Sequence, residues 1–166
     1  MNKKGALKIL IAASALAVLI SLFLNYQHFS KEASKFCNFG AYFSCDIVNK
    51  GEYSTVDGVI NLVADKILGG HHYVYLPVPN AVISLVVFLF ILGGALRLQR
   101  KKSYFGMKDE TVLKVLRVLV ILGWVYAAIL IFIEAEVLQT WCLFCLLLDM
   151  IMVLIAYALF AVGRER

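Results

Sequence analysis

The residues of this chain that could do chemistry are 4 cysteines in two pairs. One pair is the C-x-x-C of Trp141-Cys142-Leu143-Phe144-Cys145; the other stands at the two ends of Cys37-Asn38-Phe39-Gly40-Ala41-Tyr42-Phe43-Ser44-Cys45. On a helix, positions i and i+3 share a face, so Cys142 and Cys145 should lie within reach of each other. A helix N-terminus also favours the thiolate, the form of cysteine that attacks disulfides. The loop pair has enough intervening chain to close a disulfide, and an exposed, mobile disulfide is open to exchange.

Three chemistries compete for these sulfurs. A zinc site would need all four thiolates, but one pair sits at an apolar boundary and the other is widely spaced, so no metal is expected. Two structural disulfides would staple a non-catalytic membrane scaffold, yet a C-x-x-C bridge closes too short a loop to stabilise much. Redox exchange, passing electrons from the loop pair to the boundary pair, uses both spacings.

The elements that must position the pairs are membrane spans. Hydrophobic residues make up 62% of the 166, and the mean hydropathy is +0.85, more apolar than a soluble core of this size needs. Four apolar runs can each cross a bilayer, at about residues 6–24, 80–96, 112–133 and 141–162, within a single membrane domain spanning 1–166. The expected fold is an all-α bundle of four transmembrane helices with one large outer loop, 27–79. A leader reading of the first run, from its basic start and Ala15-Leu16-Ala17, is disfavoured because the apolar stretch continues to Leu24.

Charge sets the orientation. The net charge of +5 does not point to nucleic acid, because its distribution follows the spans. Lys3, Lys4, Lys8, Arg97, Arg100, Lys101, Lys102, Lys108, Lys114, Arg117, Arg164 and Arg166 all fall on one side. The other side has Lys31, Lys35, Lys50 and Lys66 against Glu32, Asp46, Glu52, Asp57, Asp65, Glu134 and Glu136. The positive-inside rule then puts both termini in the cytoplasm and every cysteine on the outer, oxidising side or at its boundary. The basic link at 97–109 is read as a turn facing anionic lipid headgroups.

Within the outer loop, Ser54-Thr55-Val56-Asp57 reads as a helix start and Gly69-Gly70 as its stop. Val59, Ile60, Leu62, Val63, Ile67 and Leu68 give that short helix an apolar face, suited to lie on the membrane as a cap. His71-His72 has no third ligand at useful spacing and reads as loop. Asn80 follows Pro77-Val78-Pro79 at the outer end of the second span, where an amide needs a partner or serves as a helix cap. Trp124 and Tyr126 fall at mid-depth of the third span, as packing or pocket lining, and Glu134 and Glu136 are expected in the outer aqueous region. In the last span Cys142, Cys145, Asp149 and Met152 follow the 3-4-3 spacing of one face. A carboxyl at Asp149, about one turn deeper than Cys145, should face the bundle interior, as a proton donor or acceptor or as a hydrogen-bonding tie.

The two loop cysteines, Cys45-Asp46-Ile47-Val48 followed by Tyr53-Ser54, and a Trp-Cys-x-x-Cys opening the last of four spans together resemble the vitamin K epoxide reductase family. The bacterial disulfide-bond formation protein B also has four spans and two cysteine pairs, but in the opposite order. The resemblance implies a relay in which Cys37 meets a thioredoxin-fold partner, Cys45 exchanges with Cys142, and Cys145 faces a membrane quinone, ubiquinone or menaquinone. It implies a separate thiol partner, since the match is to members without a fused thioredoxin domain. Asn80 stands where some members bind a quinone oxygen. The family's usual Ser or Thr after the second loop cysteine is Gly51 here, so that either Ser54 substitutes or the hydrogen bond is absent, and the tyrosine of vitamin K-reducing members is Asp149. A bacterial or archaeal quinone-coupled oxidase of exported thiols is therefore expected, over a quinone or quinone-epoxide reductase of the endoplasmic reticulum or a scaffold. The ending Gly163-Arg164-Glu165-Arg166 lacks a recognised retention signal, in keeping with that choice.

Overall fold

The computed structural model describes residues 2–32, 37–39, 42–69, 74–100 and 108–164. The readings made for Lys35, Gly40, Ala41, Gly70, His71, His72, Glu165, Arg166 and the middle of the basic link concern residues outside these. The described chain is almost wholly helical. Four helices are long and apolar enough to cross a membrane: α1 (Lys3–Phe29), α4 (Asn80–Arg100), α5 (Asp109–Phe132) and α6 (Leu143–Arg164). At 1.5 Å per residue even 21 residues reach roughly 30 Å, the thickness of the hydrocarbon layer. This is the all-α four-helix bundle expected, and the protein is an integral membrane protein.

Lipid tails are as apolar as leucine, so membrane helices associate through close packing and internal hydrogen bonds. The face α1 buries accordingly interleaves small residues, Ala6, Ala13, Ser14, Ala17 and Ser21, with Leu7, Leu10, Ile20 and Leu24, and it packs chiefly on α4 and α6. Ala95 of α4 and Ala158 of α6 are fully buried in the same core. Polar groups on this seam are satisfied within it. The Ser84 hydroxyl meets that of Ser21 at 3.2 Å, and the Asn25 amide donates to the carbonyls of Ser21 and Ala81.

Helix α5 is held differently. Its first half buries Val112, Leu113, Leu116 and Val120, and Leu116 lies so close to Gly94 that a Cβ there would come within 2.9 Å of it. Its second half presents Ile121 and Val125 largely outward. The helices meet tightly at one end and leave a gap at the other, the end that carries the cysteines. There α5 passes into a π-helical segment, Ile133–Leu138, which ends on Gln139 in the left-handed conformation (φ 51°).

The long loop folds over that end. Residues 38–39 and 43–44 form a two-residue antiparallel strand pair, β1 (Asn38–Phe39) with β2 (Phe43–Ser44), where an irregular loop was expected. A six-residue helix, α2 (Cys45–Lys50), starts on the second loop cysteine, with the Ser44 hydroxyl accepting from the Ile47 amide. Buried Asn49 ties α2 to α1: its amide donates to the Leu24 carbonyl, and its own carbonyl meets the His28 ring. A 3-10 turn, Glu52–Ser54, leads into α3 (Val56–Leu68), which Gly69 terminates at φ 63°. Gly58 is required there, because a Cβ would lie 2.0 Å from the Glu52 carbonyl oxygen. A hydrogen bond from the Thr55 side chain lowers the pKa of Asp57 at the start of this helix. The Val56 amide donates to Val78, and Asn61 bonds both backbone groups of Val74, so the returning chain is delivered to the start of α4.

Candidate active site

The loop and the last span are joined by backbone hydrogen bonds. The Trp141 amide donates to the Tyr42 carbonyl at 2.9 Å, and the Ser44 amide to the Trp141 carbonyl at 3.1 Å. This parallel pairing holds Trp141 extended, so α6 begins only at Leu143. Cys142 therefore stands at the N-cap and not inside the helix as its spacing had suggested. Its carbonyl accepts the first helical bond, from Leu146, and its sulfur accepts from the Cys145 amide at 3.3 Å. Its own amide donates to the Glu134 carboxylate at 3.0 Å.

The same pairing brings the two cysteine pairs together. Cys37 and Cys45 form a disulfide, with Cα atoms 5.5 Å apart, and Cys142 and Cys145 are free thiols. The sulfurs of Cys45 and Cys142 are 3.4 Å apart, and those of Cys37, Cys45 and Cys142 all lie within 4.8 Å of one another. The expectation of an exposed loop pair is corrected here: Cys37 is 0% and Cys45 2% exposed, because β2 and α2 press them against the bundle. Three sulfurs at this spacing could in principle hold a soft metal ion. With Cys37 and Cys45 bonded to each other, however, only Cys142 among them offers a thiolate.

Cys145 faces the gap between the helices. A cavity of about 450 Å³ lies there, within the roughly 300–1,000 Å³ usual for small-molecule sites. Its walls are mostly apolar, with Phe88, Leu119, Leu122 and Leu130 among them. Asp149 and Met152 continue the Cys145 face down the same wall, and Phe144 beside it packs on Phe23 with ring centres 4.7 Å apart. The roof is α2, the 3-10 turn and the first turn of α3, through Val48, Tyr53, Ser54 and Val56.

Asn80 lines the wall facing this roof. Its amide donates to the Tyr53 carbonyl at 2.9 Å, and its oxygen accepts from the Tyr126 hydroxyl at 2.6 Å. Pro79 supplies the carbonyl that accepts the first bonds of α4, so Asn80 is not the cap of that helix. Tyr126 lines the cavity, whereas Trp124 points away from it and is 47% exposed. Ser54 puts a buried hydroxyl residue on the lining. Gly51 does not reach it, and a Cβ at that position would come 2.4 Å from the Ile47 carbonyl oxygen.

Glu134 is the functional group whose environment sequence reasoning missed. Expected in water, it is 4% exposed, lines the cavity and bonds to Cys142. Helical spacing carries the signal: Gly123, Tyr126, Ala127, Leu130 and Glu134 fall on one face, and all five line the cavity. Glu136, two residues on, is exposed.

A four-span bundle whose cysteine pairs meet at the mouth of an apolar cavity defines a membrane protein built for disulfide chemistry. The chain matches the vitamin K epoxide reductase family over residues 8–160 and belongs to that family. Compared with individual curated proteins, it has no significant match. Family membership implies quinone involvement, and the cavity's lining, mostly apolar with Ser54, Asn80, Tyr126 and Asp149 among the polar side chains, fits such a ring.

Proposed function

We propose that this protein is an enzyme that takes electrons from the thiols of exported proteins and passes them to a membrane quinone. Disulfides then form outside the cytoplasm. The observation that carries the reading is the 3.4 Å approach of the Cys45 and Cys142 sulfurs, with Cys145 beside them on the cavity wall.

The relay balances as follows. A reduced thioredoxin-fold partner attacks Cys37 of the loop disulfide; the partner leaves oxidised, and Cys37 and Cys45 become thiols. Because Cys37 is buried, this exchange follows an opening of the loop around it. Cys45 then attacks the Cys142 sulfur of a Cys142–Cys145 disulfide, and the electron pair of the broken bond goes to Cys145. Attack of Cys37 on Cys45 releases Cys142 and restores the loop disulfide. The free Cys142 and Cys145 thiols next give two electrons and two protons to the quinone, which becomes quinol as their disulfide re-forms. A loop disulfide facing two free thiols is the distribution that precedes this last step.

Around the quinone, Asn80 and Ser54 would contact its oxygens, Tyr126 would orient Asn80, and Asp149 would carry a proton between Cys145 and the ring. Asp149 in place of the family's tyrosine favours a plain quinone, ubiquinone or menaquinone, over a quinone epoxide. The basic residues flanking the spans support an orientation with both termini in the cytoplasm of a bacterial or archaeal cell and the cysteines outside. Two experiments together test the reading. In cells, the protein should hold at Cys37, as a mixed disulfide, a thioredoxin-fold partner whose second active-site cysteine is replaced by alanine, because the thiol that would release Cys37 is gone. Wild-type protein purified in detergent should reduce a short-chain quinone with thiol as donor. Absence of both would end the proposal.

A further inference from the structure

Glu134 gathers the turn between α5 and α6 around itself. Its backbone carbonyl accepts from the amides of Gln139 and Thr140, and its carboxylate accepts from the amide of Cys142. In the common capping box, a Glu at the third helical position reaches back to the amide of the N-cap residue. Here the third position is Cys145, which has no carboxylate. The Cys142 sulfur takes the Cys145 amide, and the reciprocal acceptor is brought in from the preceding helix. The capping box of α6 is split between two helices, and one of its members is the sulfur that must change partners.

We propose that Glu134 is a positioning residue of the relay: by holding the Cys142 amide, its carboxyl oxygen aims the Cys142 sulfur at Cys45. This inference rests on the relay described above. During exchange the Cys142 sulfur bonds first to Cys145, then to Cys45, and is then released, and in the first two states it no longer serves as the helix cap. The bond from the Cys142 amide to Glu134 is independent of the sulfur and keeps the start of α6 in place throughout. Glu134 neither gains nor loses electrons in these steps. Its oxygen has only to accept a hydrogen bond at the right place.

That requirement separates its variants. Glu134→Gln keeps an acceptor oxygen at the same reach but cannot ionise, whereas Glu134→Asp keeps an ionisable carboxyl and falls one methylene short. The full-length variants are to be assayed in detergent with a short-chain ubiquinone and dithiothreitol, for kcat and KM. Each is also to be combined with Cys145→Ala, scoring the Cys45–Cys142 disulfide by peptide mass spectrometry. Glu134→Asp and Glu134→Ala should lower kcat about tenfold or more with KM within about twofold, as misplacement of a reacting atom does. The trapped disulfide should fall with kcat. Glu134→Gln should stay within about threefold of wild type, the scale of one altered hydrogen bond. The proposal is overturned if Gln is as damaging as Ala, if Asp is as active as wild type, or if the loss lies in KM alone. The trapping arm needs no quinone. Loss of quinone reduction in wild type would therefore count against the relay, while trapping indifferent to Glu134 would count against its positioning role.

Discussion

The sulfurs of Cys45 and Cys142 are 3.4 Å apart although 97 residues separate them along the chain. Neither residue's own helix brings this about. It follows from two backbone hydrogen bonds between Trp141 and the strand that precedes Cys45. The loop is thus registered against the last span by main-chain geometry, while the side chains on either side remain free to react.

Removing the Trp141 amide tests that registration. Trp141→Pro loses the bond to the Tyr42 carbonyl. One such bond contributes only about 1 kcal/mol to stability, so the fold should survive. A small displacement at reacting atoms can cost on the order of a hundredfold in rate, so electron transfer from thiol to quinone should fall at least tenfold. Rapid-mixing measurement of quinone reduction, with far-ultraviolet circular dichroism as the folding control, reads both quantities.

Ser54 and Gly51 give opposite expectations. Ser54→Ala removes the hydroxyl from the cavity roof and should raise KM for quinone several-fold with little change in kcat, the effect of one hydrogen bond of about 1 kcal/mol. Adding Gly51→Ser should not restore KM, because a side chain at 51 runs into the Ile47 carbonyl and not into the cavity. Recovery by the second change would move the quinone-contacting hydroxyl to position 51.

Much of this architecture was legible in the sequence, for physical reasons. Apolar runs long enough to span leave little choice but helices, and the 3-4-3 spacing groups Cys145, Asp149 and Met152, which share one cavity wall. Thr55 and Gly69 flank α3 as the local helix signals require. What could not be read was non-local. The displacement of Cys142 from helix to N-cap depends on pairing with a loop nearly a hundred residues away, which leaves no mark on local propensity. The burial of Cys37 and Cys45 has the same origin. Glu134 differs from Glu136 because it shares a helix face with Gly123, Tyr126, Ala127 and Leu130, which line the cavity.

Asp149 has a direct kinetic test. Asp149→Asn keeps the shape and a hydrogen-bonding group but cannot carry a proton. If Asp149 moves a proton between Cys145 and the quinone, kcat for quinone reduction should drop about tenfold or more, within the range of general acid–base catalysis. The dependence of kcat on pH should also change form. A variant with wild-type kcat across the pH range would leave Asp149 as a packing group.

The central claim is that electrons cross between the pairs through Cys45 and Cys142, and the most direct measurement is the disulfide left when Cys145 is removed. In Cys145→Ala protein, the Cys142 thiol has lost its own partner and can attack Cys45; only the displaced Cys37 thiol can reverse this, and alkylating Cys37 locks the linkage. Mass spectrometry of protein alkylated in intact membranes should find Cys45 joined to Cys142, with Cys37 free. A Cys37–Cys142 linkage, or no linkage between the pairs, would contradict the account.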